Sequence, residues 1–278
     1  MRRVSWSGVS APQQGGQIVE MIAELENQHI IQLAKELGSR FRVSAEIHAE
    51  DLLFKFFTSM TPGEQSIVRY FESGHGDANQ IYHTARSLVP ETKDPRVLDF
   101  AAGFGRVSRH FSAIMPTARL SASDIHQAAV EFLRGVLAID AIKSDGVPRK
   151  SSLPKDEFDF IFSLSFFSHM PDYRFLDWLR LLLSALKPNG YLLFTTHGDA
   201  TMRQYPQLAA LYDPEKGCGY GVGLGTDQTD IEGENYGTAI TDFNYVAGKI
   251  KQLPARMVTF RSAGWWGHQD EWIIQRIG

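Results

Sequence analysis

The segment Arg96-Val97-Leu98-Asp99-Phe100-Ala101-Ala102-Gly103-Phe104-Gly105-Arg106-Val107-Ser108 constrains this chain most. An apolar, β-prone run meets a carboxylate at its end, small residues follow, and a helical pattern begins. That order spells a strand, a tight turn and a helix N-terminus. Glycines let the backbone approach a ligand closely, and the helix start presents N–H groups that have no partner within the helix. Asp124 lies nineteen residues beyond Gly105, after a second apolar run.

The flanking sequence sets this unit in a larger alternation. Strands are expected at Val97–Phe100, Arg119–Ser123, Ala141–Ser144, Phe158–Ser163 and Tyr191–Thr196. Helices are expected between them at Arg106–Ile114, Ala128–Leu137 and Phe175–Leu186, with a turn at Lys187-Pro188-Asn189-Gly190. Strands separated by helices of this length imply a parallel sheet with right-handed crossovers. The run at Phe158–Ser163 is apolar almost throughout, as in a strand buried on both faces. Two closing strands are expected at Arg256–Arg261 and Asp270–Ile277.

Three regions stand outside this rhythm. Residues 1–16 are rich in Ser, Gly, Pro and Gln and read as a flexible lead-in. Residues 17–90 read as a helical N-terminal extension, with helices from Ile18 to Leu37, from Leu52 to Phe57, and from Pro62 toward Gly74. This extension packs on the main domain or forms a lid that brings Tyr70 to a ligand. Residues 91–278 form the main domain. Within it, the Gly- and Tyr-rich stretch 198–254 is too long for a simple connection and reads as a substrate-side insertion. It ends in a helix at Phe243–Ile250 capped by Thr241 or Asp242.

In an open α/β sheet, ligands bind beyond the carboxyl ends of the strands. Asp99, Asp124, Ser163 and His197 all fall there. A carboxylate about twenty residues past a glycine-rich turn commonly accepts hydrogen bonds from ribose hydroxyls, which predicts an adenosine-containing cofactor. The choice lies between a nicotinamide or flavin dinucleotide and S-adenosyl-L-methionine. A dinucleotide site calls for a third glycine where Ser108 stands. Asp99 at the mouth of the loop repels a pyrophosphate but suits an amino group and a sulfonium.

These residues resemble motif I of the class I S-adenosylmethionine-dependent methyltransferases, whose pattern is D/E-x-G-x-G-x-G; the first glycine is Ala101 here. Asp124 resembles the family's acidic residue after the second strand. Phe158-Asp159-Phe160-Ile161-Phe162-Ser163 with Phe167-Ser168-His169-Met170 resembles its fourth-strand motif. Leu186-Lys187-Pro188-Asn189-Gly190 resembles its turn into the fifth strand. The resemblance covers roughly residues 90–197. It implies a Rossmann-like fold with a seven-stranded, mostly parallel sheet, an antiparallel last strand, and the insertion between strands five and six. It further implies a cofactor site built from Asp99, Ala101, Gly103, Gly105, Asp124, Ile125, Ser163 and Leu164. Asp145, with Asp140 as its rival, would lie beside the adenine.

Methyl transfer is an in-line displacement whose catalysis can be largely positioning. An oxygen or nitrogen acceptor that carries a proton also needs a base, for which histidine is suited. His169, His197 and His268 fall at three cleft-side edges; His197 and His268 are the acceptor-side candidates, and His169 is shared with the cofactor. A divalent ion held by His197, His268 and Asp270 is the alternative, though the spacing demands no metal. The expected reaction is methylation of an oxygen or nitrogen of a small molecule or glycan. The rival readings are a non-catalytic S-adenosylmethionine-binding protein and a nicotinamide-dependent oxidoreductase.

Composition narrows the setting. A net charge of −4 with no basic block disfavours a nucleic-acid partner. No apolar run reaches the roughly 18 residues of a membrane span. The single cysteine, Cys218, rules out an intramolecular disulfide, and a reducing cytoplasm is the expected compartment.

Overall fold

The computed structural model describes residues 28–61, 63–89, 93–223 and 236–278. The expected lead-in at 1–16, the first part of the first helix and the middle of the insertion lie outside the described residues. The sheet is built on β1 (Arg96–Phe100), which pairs in parallel with β2 (Arg119–Asp124) on one side and β4 (Phe158–Ser163) on the other. Strand β3 (Asp140–Lys143) extends it beyond β2, and β5 (Leu186–His197) beyond β4. Strands β8 (Ala255–Trp265) and β9 (Gln269–Arg276) complete seven strands in the order β3-β2-β1-β4-β5-β9-β8. Strand β9 runs antiparallel to both neighbours. The expected Rossmann-like α/β architecture is therefore present, with its antiparallel last strand in sequence.

Side chains alternate across the sheet and fill two cores. Leu98, Ile161 and Leu192 face helix α6 (Asp172–Ala185) and α9 (Phe243–Ile250), packing with Trp178, Leu179 and Val246. Val97, Phe160, Phe162 and Leu193 face the other way, against Ile81 and Phe111 of α3 (Glu64–Leu88) and α4 (Ser108–Ile114). Helix α5 (Gln127–Gly135) covers β2 and β3 with Val130 and Leu133. Burial of this kind contributes about 25 cal/mol per Å² of apolar surface, and it fixes the strand ends that carry the site.

The N-terminal extension comprises a helix, α1, over 28–41, then α2 (Leu52–Met60) and α3. Its facing side chains, including Leu37, Phe57, Ile67 and Phe71, form a separate cluster. Helix α3 does not stop at Gly74 but continues to Leu88. Gly74 is a packing position: a Cβ there would lie 2.6 Å from the Arg106 carbonyl oxygen, so only glycine lets α3 cross the cofactor-loop segment.

The insertion carries short helices α7 (Asp199–Gln204) and α8 (Pro206–Ala209) and a two-stranded hairpin of β6 (Cys218–Gly221) and β7 (Thr238–Thr241). Asp242 caps α9, its carboxylate accepting the Tyr245 N–H at 2.7 Å. Both closing strands are longer toward their shared turn than the sequence suggests; β8 reaches Trp265 through an irregular register after Arg261.

Candidate active site

The glycine turn of 101–107 owes its shape to three left-handed residues, Ala101 (φ 63°), Gly103 (φ 55°) and Gly105 (φ 74°). Alanine at 101 therefore does not merely fit a tight turn; it holds a conformation that costs an L-residue about 1 kcal/mol. A Cβ on Gly105 would lie 2.6 Å from Leu137 Cδ1, whereas one on Gly103 would meet nothing within 4 Å. One glycine serves packing against α5, and the other opens onto free space where a ligand can touch the backbone.

Asp124, at the end of β2, is buried and braces this turn. Its Oδ2 accepts the Gly103 N–H at 2.8 Å, and its Oδ1 accepts the His126 N–H at 2.9 Å and lies 2.8 Å from His126 Nδ1. Asp99 is also buried and accepts the Ser108 hydroxyl at 2.5 Å. Burial pushes its carboxyl up to about 7, opposed by that hydrogen bond and by the Arg106 charge and assisted by Asp124. Such a carboxyl is poised to ionise when a cation arrives.

The other residues expected on the cofactor side gather on the same edge. Ile125 faces the loop after β3, where a Cβ on Gly146 would lie 3.5 Å from Ile125 Cδ1. Asp145 is in that loop, its Oδ1 accepting the Val147 N–H at 2.9 Å. Asp140 starts β3 and so lies at the end of the strand opposite Asp145. Ser163 ends β4 with a buried hydroxyl that has no hydrogen-bond partner, as does Ser123 beside Asp124. Two orphaned hydroxyls, a carboxylate and open space above Gly103 fit a polar, hydroxyl-bearing ligand such as an adenosine. Leu164 follows Ser163, half-buried against the core.

Tyr70 does not join them. It is fully buried in the helical cluster, its hydroxyl donates to Asp51 Oδ2 at 2.6 Å, and the Arg109 guanidinium lies 5.4 Å from its ring centroid. Its position on α3 thus faces Asp51, the residue that caps α2. The extension reaches the turn by another route, since His48 stacks on Phe104 at 4.5 Å between centroids and Arg109 donates to the carbonyls of Ser44 and Glu46.

The three histidines lie in a continuous row of rings. From the β8–β9 turn inward, Trp266 to His268 is 6.3 Å, His268 to His197 6.1 Å, His197 to His169 6.1 Å, and His169 to Tyr236 4.7 Å between centroids. Tyr205, from the insertion, stands 5.8 Å from His268. His169 is bound to the insertion twice: its carbonyl accepts the Gly237 N–H at 3.1 Å and its Nδ1 lies 2.6 Å from the Gly237 oxygen. A carbonyl only accepts, so that contact assigns the hydrogen to Nδ1 and the lone pair to Nε2. Burial lowers His169 to about 4. Burial, with the neighbouring histidines, lowers His197 to about 3. Both rings are neutral near pH 7. His268 lies outermost, with Nδ1 3.2 Å from the Trp266 carbonyl oxygen, which leaves Nε2 to accept.

Ser165 and the Arg106–Asp77 pair carried no clear mark in the sequence. Ser165 adopts φ 57°, its N–H donating to Thr195 Oγ1 at 2.8 Å while Gln269 donates to its hydroxyl at 3.0 Å. A strained non-glycine residue just past a cleft-side strand is held by its surroundings. Arg106 is buried and paired with Asp77 at 2.5 Å, and Asp77 also accepts the Trp266 indole N–H at 2.8 Å. The Asp270 carboxylate accepts the Ala263 N–H at 2.9 Å. Among the described residues, no three His, Cys, Asp or Glu side chains converge as metal ligands.

Residues 75–221 match the family described as a methyltransferase domain. The chain belongs to the class I S-adenosylmethionine-dependent methyltransferases. This methyltransferase resembles solved structures at fold level. One is the S-adenosylmethionine-bound amino pentose methyltransferase CalS10 of Micromonospora echinaspora, 13% identical, covering 73% of this chain and 91% of that one at TM-score 0.51. Another is the 1,6-didemethyltoxoflavin-N1-methyltransferase of Burkholderia thailandensis, 15% identical, covering 85% and 94% at TM-score 0.51. A third, an S-adenosylmethionine-dependent methyltransferase of Methanosarcina mazei, is 16% identical, covering 71% and 97% at TM-score 0.50. No curated relative matches in sequence. The methyltransferase's cofactor is S-adenosyl-L-methionine, which excludes the nicotinamide reading. Among the described residues, no helix is long and apolar enough to cross a membrane.

Proposed function

We propose that this methyltransferase alkylates an oxygen or nitrogen of a small molecule held against the row of His169, His197 and His268. The observation that carries the reading is that row: three imidazoles that follow three separate strands, on the cleft side of the sheet. The two named neighbours act on an amino pentose and on didemethyltoxoflavin, both small molecules, which supports the same class of acceptor here. The absence of a basic block speaks against nucleic acid, and the lone Cys218 suits a reducing cytoplasm.

When bound, S-adenosylmethionine supplies an electrophilic methyl group. Asp124 would hold the ribose hydroxyls, Ile125 and Asp145 the adenine side, and Asp99 the amino group, with Gly103 allowing close backbone approach. Ala101 and Gly105 shape that loop; Ser163 and Leu164 line the floor between cofactor and acceptor. On the acceptor side, His268 takes the acceptor's proton at Nε2. His197, held neutral by burial, orients the acceptor by hydrogen bonding. His169 anchors the insertion through Gly237 and presents its Nε2 lone pair toward the same space.

Incubation with methyl-labelled S-adenosylmethionine and a panel of hydroxyl- and amine-bearing small molecules tests the reading. Label transfer to at least one acceptor, lost by a hundredfold or more in His268→Ala, is expected. Transfer that is unchanged in both His268→Ala and His197→Ala would remove the histidine row from the chemistry.

A further inference from the structure

Trp266 is unusual for a large aromatic residue. It sits at the tip of the β8–β9 turn with φ 49°, in the left-handed region, and remains 43% exposed. A bulky residue in that conformation at the surface has no stabilising reason of its own, so the turn must be held by its contacts. Those contacts are specific. The indole N–H donates to Asp77 Oδ1 at 2.8 Å, and the Arg106 guanidinium carbon lies 5.3 Å from the ring centroid. Arg106 and Asp77 are themselves buried and paired at 2.5 Å. The indole is thus fixed in orientation by the residue that directly follows Gly105 of the cofactor turn, yet much of its surface stays open to solvent.

Its neighbours define what the open surface suits. The row that starts at Trp266 passes through His268 and His197, at centroid steps of 6.3 and 6.1 Å, and the His197–His268 pair is tilted by only 34°. The rings offer flat surface and hydrogen-bonding nitrogens. The two charges nearest the indole neutralise each other on its buried side, and Arg106 already occupies the cation-binding role against the ring. Among the described residues, no unpaired carboxylate contacts the indole.

We propose that Trp266 is the stacking platform for the methyl acceptor, and that the acceptor is an uncharged, planar aromatic ring bearing the hydroxyl or ring N–H that is methylated. The inference deepens the small-molecule reading above and rests on it. Rings stack on a pre-oriented indole with little ordering cost, because Asp77 and Arg106 have already fixed its rotamer. Stacking there lays the acceptor's edge along His268 and His197.

The test is binding, read separately from turnover. Calorimetry is run on the full chain saturated with S-adenosylhomocysteine, with three probes: 7-hydroxycoumarin as the planar neutral ring, methyl glucoside as a non-aromatic hydroxyl, and tyramine as a cationic amine. The expected result is that 7-hydroxycoumarin binds at least tenfold more tightly than either other probe. Trp266→Ala should weaken that binding tenfold or more, and Trp266→Phe, which keeps a flat ring, should stay within about threefold of wild type. S-adenosylhomocysteine titrated into each variant distinguishes the two failures. If it does not bind wild type, the methyltransferase-site reading fails. If it binds wild type and both variants alike, yet 7-hydroxycoumarin fails to bind or binds Trp266→Ala as it binds wild type, the platform alone is overturned. Preferential binding of methyl glucoside or tyramine overturns it equally.

Discussion

Asp124 Oδ2 and the backbone N–H of Gly103 are joined at 2.8 Å, so the acid that ends β2 also braces the glycine turn that follows β1. One carboxylate serves two neighbouring elements of the candidate cofactor site. Its other oxygen is engaged by His126, which fixes the carboxylate's orientation before any ligand enters. The site is therefore partly organised in advance, and its preorganisation depends on strand pairing between β1 and β2.

The left-handed Ala101 gives a prediction of unusual sign. Glycine relieves the steric cost at φ 63° but adds freedom to the unfolded chain. Ala101→Gly should stabilise the protein by about 0.5–1 kcal/mol in urea unfolding. A loss of stability would show that the alanine methyl makes a compensating contact in the turn.

Gly198 stands between His197 and α7, where an added Cβ would overlap the Asp270 carboxylate. Gly198→Ala should cost about 1–3 kcal/mol by overpacking and should lower methyl transfer further by displacing His197. Equal stability and activity to wild type would show that the loop accommodates the methyl group freely.

His110 packs against Phe41 at 5.3 Å and Phe71 at 6.1 Å, with neither ring nitrogen hydrogen-bonded. Burial, with the nearby Arg109 charge, lowers it from 6.5 to about 3. Because the folded pKa is depressed, the unfolded chain binds the extra proton first. Stability attributable to His110 is present above pH 6.5 and is lost as pH falls toward 3. The slope is about 1.4 kcal/mol per pH unit for one proton. His110→Phe should be near neutral at pH 7.5 and should make stability fall less steeply between pH 6 and 4. An unchanged slope would contradict the assignment of a buried neutral imidazole.

Local chemistry made much of this molecule legible. Periodicity and glycine placement located β1, β2, β4 and α9, and chain order placed Asp99, Asp124, Ser163 and the three histidines at one sheet edge. What escaped was set by contacts between distant residues. Gly74 resembles a helix stop, but its role is to admit Arg106, thirty-two positions away in sequence. Tyr70 is expected near a ligand if the extension forms a lid, and its hydroxyl bond to Asp51, nineteen positions away, has no mark in the sequence. The anchoring of Trp266 depends on Asp77 and Arg106, neither of which is adjacent to it in the chain. Backbone strain at Ser165 is likewise maintained by Thr195 and Gln269 from other strands.

The most direct measurement is calorimetric titration of S-adenosylhomocysteine into wild type and Asp124→Asn, with circular dichroism to verify that both are folded. Wild type is expected to bind at one site per chain. Binding should weaken by about tenfold or more in the variant, the loss expected when charged hydrogen bonds to the ribose are replaced by neutral ones. No binding to folded wild type, or equal binding to the two proteins, would contradict the cofactor site described.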